Sequence, residues 1–279
     1  MAALSSPVEP AGRPRALSRW KGQPRWSRPL QRALFALGSI AAWQAAVTVG
    51  ALPKSSIPSA TATAEALTRL VQTGHFWDAS WLTLSGWAAG LALCVLLGVP
   101  LGLLIGTVPF LVRSTRLLVD FLRTIPAVAL VPVLLLVMGS TMTMKLVLVV
   151  FGSVWPLLTS TVDGVRHVDP VAADTVRSLR LSRGDLYRRL VLPSALPFVI
   201  TGLRTAAVVA LMLTTAAEYL GSVPGLGKSM GEAQAAGAVD VMFAWLVVAG
   251  LMGVALNAGF LALERRLIPW VPANREEPR

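Results

Sequence analysis

Few side chains in this sequence could carry out chemistry, and they lie far apart along the chain. The two histidines, His75 and His167, are too widely separated to suggest a histidine metal site. The single cysteine, Cys94, excludes an internal disulfide and a thiolate metal cluster. Enzymatic catalysis requires a nucleophile beside a base, or neighbouring carboxylates. We therefore predict no catalytic residue and no metal ligand.

One short segment looks like the end of a phosphate-binding loop but does not meet its spacing. Residues 225–229 read Gly-Leu-Gly-Lys-Ser, and the phosphate-binding loop requires a further glycine five residues before the second of these glycines. That position is Ser222, and the nearest glycine, Gly221, lies one residue too early. We predict no nucleotide binding here, so whatever energises this protein must be another chain.

Two ionisable residues, Arg204 and Glu218, lie within one otherwise apolar stretch. A cation at membrane depth requires a partner, a cavity or a route to the boundary, so we predict a structural ion pair or snorkelling for Arg204. A direct role in solute passage is the alternative. Glu218 lies about 21 Å further along a helix, too far to pair with Arg204. We expect Glu218 to cap or gate the outer mouth beside residues 221–227.

The composition indicates that the elements positioning these residues lie in a membrane. Hydrophobic residues make up 54% of the 279 residues and charged residues only 14%, with a mean hydropathy of +0.65. Soluble domains are about 25% charged. Apolar runs near the roughly 20 residues that a bilayer core requires predict six membrane spans. They cover about 33–50, 82–106, 124–140, 144–162, 195–220 and 241–265.

Basic residues alternate in number between the segments that join these spans. The segments 1–32, 106–126, 163–193 and 264–279 carry 20 of the 25 lysines and arginines. Because basic residues are retained on the cytoplasmic side, we predict that both termini are cytoplasmic. The net charge of +11 follows from this topology, so no nucleic-acid partner is expected. Residues 1–32 and 271–279 are expected to be cytoplasmic tails, the first disordered, with a cleaved signal peptide as the alternative for the first span.

The second and third predicted spans contain features that affect packing and solute passage. Gly98, Gly102 and Gly106 recur at a spacing of four and mark a helix face for close packing, within the subunit or against a partner copy. Pro126 and Pro132 interrupt the third span.

Irregular backbone at membrane depth is tolerated only where it is buried in protein or lines a water-filled path. Residues 123–139, beginning with Arg123, are therefore the predicted solute pathway. A merely kinked structural helix is the alternative.

A helix before the third span combines charged and apolar residues. Arg113, Arg116, Asp120 and Arg123 recur at spacings of three and four, so they share one helix face. The apolar residues opposite are Leu117, Leu118, Phe121 and Leu122. This pattern predicts an amphipathic helix near the inner membrane surface.

The loop 163–193 is long, charged and patterned for helices. Asp169-Pro170 is a favourable helix start, with aspartate as the N-cap and proline at the first helical position. We predict one helix from there to about Leu179 and a second from Ser182 to Leu192. Two short helices between spans would form a rigid projection suited to docking a soluble partner.

The same loop resembles the cytoplasmic loop of ABC importer permeases. It reads Asp174-Thr-Val…Arg180…Leu190-Val-Leu192-Pro193, and the family pattern is Glu-Ala-Ala…Gly…Ile-x-Leu-Pro. Further fragments occur in order over 57–270 and are similar to the aliphatic sulfonate, taurine and nitrate branch. They are Ile57-Pro58-Ser59, Gly98-x-Pro-x-Gly102, Leu122-Arg123-x-x-Pro126, Ala129-x-x-Pro132, Gly139, Lys145, Gly202-x-Arg204, Ala217-Glu218, Gly225-x-Gly227 and Leu263-Glu-Arg-Arg-Leu267.

The resemblance implies an all-α membrane protein with six transmembrane helices, the type I ABC importer permease fold and a cytoplasmic coupling helix. It implies two permease copies in the cell membrane, two ATPase subunits docked from inside, and an extracytoplasmic solute-binding protein. ATP and magnesium bind the ATPase, and this chain binds no cofactor. The residues implied in coupling to the ATPase are Asp174, Arg177, Arg180, Leu181, Ser182, Gly184 and Pro193.

Some positions depart from the family pattern. Arg180 replaces the usual glycine of the coupling loop, and Asp174 replaces the leading glutamate. A positive backbone φ at Arg180 would cost about 1–2 kcal/mol. Val137-Met138 and Met142 replace the aromatic and acidic residues that usually flank Gly139, which loosens the inference about the solute.

The solute and the transport class each have alternatives. A small anion such as a sulfonate, taurine or nitrate fits the branch, but similar permeases carry vitamin precursors. An ATP-independent channel or secondary transporter is a different class. A membrane-embedded enzyme is a third, and it would need reactive groups that the spans lack.

Overall fold

Helices make up all the regular structure that the computed structural model describes, which covers residues 27–53, 55–168, 178 and 182–268. The helices are α1 (Ser27–Thr48), α2 (Ala60–Val71), α3 (Gly74–Thr107), α4 (Pro109–Thr124), α5 (Val131–Met138), α6 (Met142–Arg166), α7 (Arg183–Leu186), α8 (Leu192–Gly221), α9 (Leu226–Ala235) and α10 (Val239–Leu267). A 3-10 helix (Ala127–Leu130) precedes α5, and a π-helical turn (Tyr187–Val191) joins α7 to α8. The predicted all-α fold class is confirmed.

The chain divides into two compact units, Met1–Leu52 and Pro53–Arg279. In the described part of the first unit, α1 is the one regular element, and it overlaps the predicted first span. The remaining helices all belong to the second unit. The predicted tail 271–279 and most of the tail 1–32 lie outside the described residues.

Four helical stretches among the described residues are long and apolar enough to cross a membrane. They are α3, α6, the unbroken stretch Gly184–Gly221 and α10. A fifth crossing arises if α4 and the bent continuation Ala127–Met138 count as one span. The predicted count of six is not confirmed, because Gln31, Arg32 and Gln44 lower the hydropathy of α1 and it is not among the four.

The core of the second unit lies where α3, α6 and α8 pack together. Trp87, Leu157 and Ala210 belong to one cluster of buried side chains, and the indole Nε1 of Trp87 donates a hydrogen bond to the carbonyl of Ala207 at 2.9 Å. Because lipid is as apolar as these side chains, such helices are held together by van der Waals packing and hydrogen bonds rather than by the hydrophobic effect. These three helices form the frame that holds the loops at either end.

The predicted glycine face of α3 lies against α6. A Cβ added to Gly102 would lie 2.6 Å from the Thr161 Cβ, and one added to Gly106 would lie 2.8 Å from the Val165 Cβ. At Gly98 the corresponding distance to the Leu157 Cδ2 is 3.3 Å. Only glycine permits this close approach of the two helices. The contact lies within the subunit.

The third predicted span is not one straight helix. α4 and the stretch Ala127–Met138 are bent by 75° to each other. Pro126 stands at the N-cap of the 3-10 helix, and Pro132 is the second residue of α5, where a missing N–H is tolerated. With eight residues, α5 is only about 12 Å long, which is well short of the bilayer core.

Candidate functional site

A buried ion pair joins two of the core helices. The ammonium Nζ of Lys145 in α6 lies 3.0 Å from the carboxylate Oε1 of Glu218 in α8. The two side chains are 1% and 0% exposed. Charges buried this completely require several hydrogen-bonding partners. Residues of α3, the loop before α9 and the start of α9 supply these partners.

The carboxylate of Glu218 accepts hydrogen bonds from two further groups on its Oε2. The hydroxyl of Thr83 in α3 donates at 2.8 Å and the backbone N–H of Gly227 donates at 3.0 Å. The Thr83 hydroxyl in turn accepts a hydrogen bond from the backbone N–H of Leu226 at 2.8 Å. The network therefore connects three helices with the start of α9.

The Lys145 ammonium uses its remaining protons on backbone carbonyls. It donates to Leu82 at 3.3 Å and to Pro224 at 3.4 Å. An ammonium has three protons, so Lys145 has no free donor once the Glu218 bond is included. We call Thr83, Lys145, Glu218 and residues 225–227 the buried ionic cluster.

The glycines of this cluster are required by their surroundings. Gly225 has φ +151, and a Cβ added there would lie 2.2 Å from the Glu218 carboxyl carbon. A Cβ at Gly227 would lie 2.3 Å from the Thr215 carbonyl oxygen. The glycine spacing that looks like a phosphate-binding loop therefore holds a carboxylate of the same chain. The Gly227 N–H bonds to this carboxylate directly, and the Leu226 N–H bonds to it through the Thr83 hydroxyl.

The cluster has the chemistry of a structural crosslink. Each buried polar atom of its ion pair has a partner, and the pair is neutral overall. Among the described residues, no group of three His, Cys, Asp or Glu side chains could hold a metal ion. What the arrangement can do is fix α3, α6, α8 and the loop 222–225 to one another.

Arg204, predicted to form a structural ion pair or to snorkel, links α8 to α10. Its Nε donates a hydrogen bond to the Asn257 Oδ1 at 3.0 Å, and its Nη1 lies 3.9 Å from the Glu264 Oε2. The Arg204 side chain is 39% exposed. Its partners do not include Glu218, which is bonded within the buried ionic cluster instead.

The predicted pathway stretch begins with an exposed ion pair. The Nη2 of Arg123 lies 3.1 Å from the Asp120 Oδ1. Pro126 and Pro132 are both exposed, and between them Val131 is buried against α6 and α8. The irregular backbone is thus anchored at Val131 and open on either side of it.

The predicted coupling residues fall partly within the described chain. Asp174, Arg177, Arg180 and Leu181 lie outside the described residues. Ser182 and Gly184 are exposed at the start of α7, and Pro193 is exposed in the first turn of α8. Of the predicted coupling segment, the structure therefore describes only the C-terminal part.

Ser182 starts α7 with a reciprocal cap. Its Oγ accepts a hydrogen bond from the Asp185 backbone N–H at 3.1 Å and donates one to the Asp185 Oδ2 at 2.6 Å. Asp185 also lies 3.5 Å from the Arg189 Nε, one helical turn further on. A serine N-cap contributes about 1 kcal/mol to a helix end.

The prediction of a separate second helix ending at Leu192 is wrong. The helix continues without a break from Gly184 to Gly221. Pro193 lacks an N–H and would clash with a regular preceding turn. The π-helical turn Tyr187–Val191, in which the Leu192 N–H bonds to the Tyr187 carbonyl, widens the backbone just before the proline and accommodates it.

Sequence reasoning did not select Lys145 or Thr83 as site residues. In the sequence, Lys145 was noted only as a basic residue between two spans and as a position that matches the permease family. A usable signal existed, because Lys145 lies at the start of the predicted fourth span and Glu218 at the end of the fifth, on the same predicted side. Opposite charges at the same membrane depth are expected to pair.

The chain matches known proteins in sequence and in fold. Residues 98–271 match the family model described as "Binding-protein-dependent transport system inner membrane component". The taurine transport system permease protein TauC of Escherichia coli is 28% identical over 88% of this chain and 93% of its own length. The putative aliphatic sulfonates transport permease protein SsuC of Bacillus subtilis is 28% identical over 83% and 84%. The nitrate import permease protein NrtB of Leptolyngbya laminosa is 28% identical over 70% of both chains.

Two solved structures share the fold at low sequence identity. A MetNI methionine ABC transporter chain in an inward-facing conformation superposes with a TM-score of 0.58, at 18% identity, over 67% of this chain and 93% of its own. A chain of an amino acid ABC transporter also gives a TM-score of 0.58, at 17% identity, over 72% and 98%. These likenesses support the helical permease fold.

Proposed function

We propose, from the premise that the chain belongs to the family of binding-protein-dependent transport system inner membrane components, that it forms the solute pathway of an ATP-driven importer for a small oxyanion. The observation that carries this proposal is the family match over residues 98–271, which cover α6, α8 and the predicted coupling segment. Membership makes the chain a multi-pass inner-membrane permease that works with an ATPase and a solute-binding protein.

The proposed solute class comes from the relatives. Their names assign them to taurine, aliphatic sulfonates and nitrate. These solutes share a small size and an anionic oxygen group. A sulfonate, taurine or nitrate is therefore the proposed cargo of this chain, and a vitamin precursor is the second candidate within the same importer class.

The proposed assembly contains two copies of this chain, two ATPase subunits and one external binding protein, with both termini in the cytoplasm. The distribution of 20 basic residues over four alternate segments supports this orientation. In this arrangement the chain itself is non-catalytic, since ATP and magnesium bind to the ATPase.

Coupling is proposed to run through residues 174–193 into α8. Asp174, Arg177, Arg180 and Leu181 would contact the ATPase, followed by Ser182 and Gly184 at the start of α7. Support comes from the continuous helix over Gly184–Gly221, because a helix without a break transmits a displacement along its length. The irregular stretch 123–139 would then open and close as the neighbouring α8 moves.

The first test is reconstituted transport. Liposomes containing this chain, its ATPase and its binding protein should accumulate labelled taurine, an alkanesulfonate or nitrate only when ATP is supplied. The matched control replaces the phosphate-binding lysine of the ATPase. Uptake that persists with that inactive ATPase, or without any ATPase, would contradict the proposal and favour a channel or secondary transporter.

The second test addresses coupling. Reversing the charges of Asp174, Arg177 and Arg180 together should abolish uptake and co-purification of the ATPase while the chain still inserts in the membrane. Arg113→Glu, an exposed charge reversal on α4, is the control and should retain the ATPase. Equal ATPase recovery from both variants would contradict the coupling role.

A further inference from the structure

A cleft of ≈ 280 Å³ lies between α4 and the C-terminal parts of α3 and α6. It is separate from the buried ionic cluster and from the coupling segment, and Arg123 is the one lining residue that it shares with the predicted pathway 123–139. Arginines line it from two different helices, Arg116 and Arg123 from α4 and Arg166 from α6. The cleft therefore concentrates positive charge at one end of a membrane helix bundle.

The charges lining the cleft sum to one positive charge. Three guanidinium groups face two carboxylates, those of Asp120 and Asp163. Asp120 holds Arg123 at 3.1 Å and Arg116 at 3.9 Å, which keeps both guanidinium groups on the same face of α4. Arg166 forms no ion pair with any residue that the structure describes. Each guanidinium retains free N–H donors for a further anion.

The walls of the cleft and the outer face of α4 are apolar. Ile105, Val112 and Leu158 line the cleft beside the arginines. No residue of α4 is buried, and Leu117 and Phe110 on its uncharged side are 81% and 73% exposed. An amphipathic helix with an uncovered apolar face lies at a membrane surface. A basic cleft between helices at that depth is suited to a lipid head group.

We infer that this cleft binds the phosphodiester head group of an anionic phospholipid, with Arg116, Arg123 and Arg166 around the phosphate. The single negative charge of a phosphodiester matches the net charge of the cleft. A free oxyanion could bind the same arginines, but it has no hydrocarbon part to contact the apolar walls. The walls therefore favour a lipid. The inference does not depend on which solute is transported.

Native mass spectrometry of the full-length chain in detergent tests the inference. Phosphatidylglycerol is the probe, and phosphatidylcholine is the zwitterionic comparison. We expect one phosphatidylglycerol to be retained where phosphatidylcholine is not. Arg116→Gln and Arg166→Gln, on different helices, should each weaken retention about ten-fold, because each removes a charge-assisted hydrogen bond to phosphate.

Arg113→Gln is the matched control, since it removes the same charge from α4 at a residue outside the cleft. It should leave phosphatidylglycerol retention unchanged. Equal losses for Arg113→Gln and Arg116→Gln would overturn the inference in favour of diffuse surface attraction. Displacement of the lipid by millimolar inorganic phosphate or methanesulfonate would overturn it in favour of a soluble oxyanion, and so would equal retention of the two lipids. An unchanged elution volume in size-exclusion chromatography verifies that each variant is folded.

Discussion

The two ends of the helical stretch Gly184–Gly221 are built in opposite ways. Near its C-terminal end, Glu218 is fully buried and bonded to groups from α3, α6 and α9. Near its N-terminal end, the side chains of Ser182, Asp185 and Arg189 bond to one another, with no other side-chain partner among the described residues, and Arg189 is 72% exposed. Exposed pairs of this kind contribute about 0–1 kcal/mol, whereas breaking a buried pair costs about 3–5 kcal/mol.

One end is thus fixed by the protein interior, whereas the described side-chain contacts of the other end lie on the surface. The carboxylate at the first end has all its bonding partners within the subunit. Among the described residues, the second end is held by exposed side-chain pairs, which agrees with the proposed docking of the ATPase there. Substitutions at four positions test this contrast, and their expected effects on stability decrease from Lys145 to Asp185.

Lys145→Met should have the largest effect on stability. It leaves the Glu218 carboxylate buried without its ammonium partner, which should lower the free energy of unfolding by about 3–5 kcal/mol. Thermal unfolding in detergent would measure the loss. Adding Glu218→Gln removes the unpaired charge and should recover part of it. A single variant as stable as the wild type would break the proposed contrast.

Gly227→Ala should be the next most harmful. The new Cβ would lie 2.3 Å from the Thr215 carbonyl oxygen and 2.7 Å from the Tyr219 backbone nitrogen, and backbone atoms cannot move aside cheaply. Overpacking of this kind costs about 1–3 kcal/mol or more. Gly250→Ala, in α10, is the control because nothing lies within 4 Å of its added Cβ. Equal melting temperatures for the two variants would contradict the prediction.

Thr83→Val should cost about 1–3 kcal/mol, since it keeps the shape but leaves the Leu226 N–H and one lone pair of Glu218 without a partner. Thr161→Val is the matched control. Thr161 is equally buried, but its hydroxyl bonds only to the Leu157 carbonyl of its own helix. Chemical denaturation should therefore separate the two. A loss no greater than that of the control would show that Thr83 contributes little to the cluster.

Asp185→Asn should have the smallest effect on the stability of the isolated chain, because its partners Ser182 and Arg189 are exposed and water screens the charges. Its effect on ATP-driven uptake can be measured separately in proteoliposomes. A large loss of uptake with unchanged unfolding would sharpen the contrast between the two ends. A large loss of stability would contradict it.

Most of the helices could be predicted from patterns along the sequence. Uncharged runs identified α3, α6 and α10, and Pro126 and Pro132 marked the break before α5. Glycines at 98, 102 and 106 predicted a closely packed face, since spacing along one helix is visible in sequence. These features depend on neighbours within a few turns, so a single sequence contains them.

Contacts between helices were harder to predict. Lys145 and Glu218 are separated by 73 residues, and their pairing depends on the relative rotation and height of α6 and α8. The predicted spans place both residues at the same membrane depth, but a single sequence does not give the rotation of the two helices about their axes. The continuation of the helix through Pro193 was missed for a different reason: the π-helical turn that accommodates the proline has no sequence signature of its own.

The stretch Gly184–Gly221 has 38 residues and is therefore about 57 Å long, nearly twice the thickness of a bilayer core of about 30 Å. A rod of that length pivoting near Glu218 would swing its far tip by about 10 Å for a tilt of about 10°. Side chains close to the pivot would hardly shift. A small rotation of the helix within the membrane would thus produce a large displacement of its far tip.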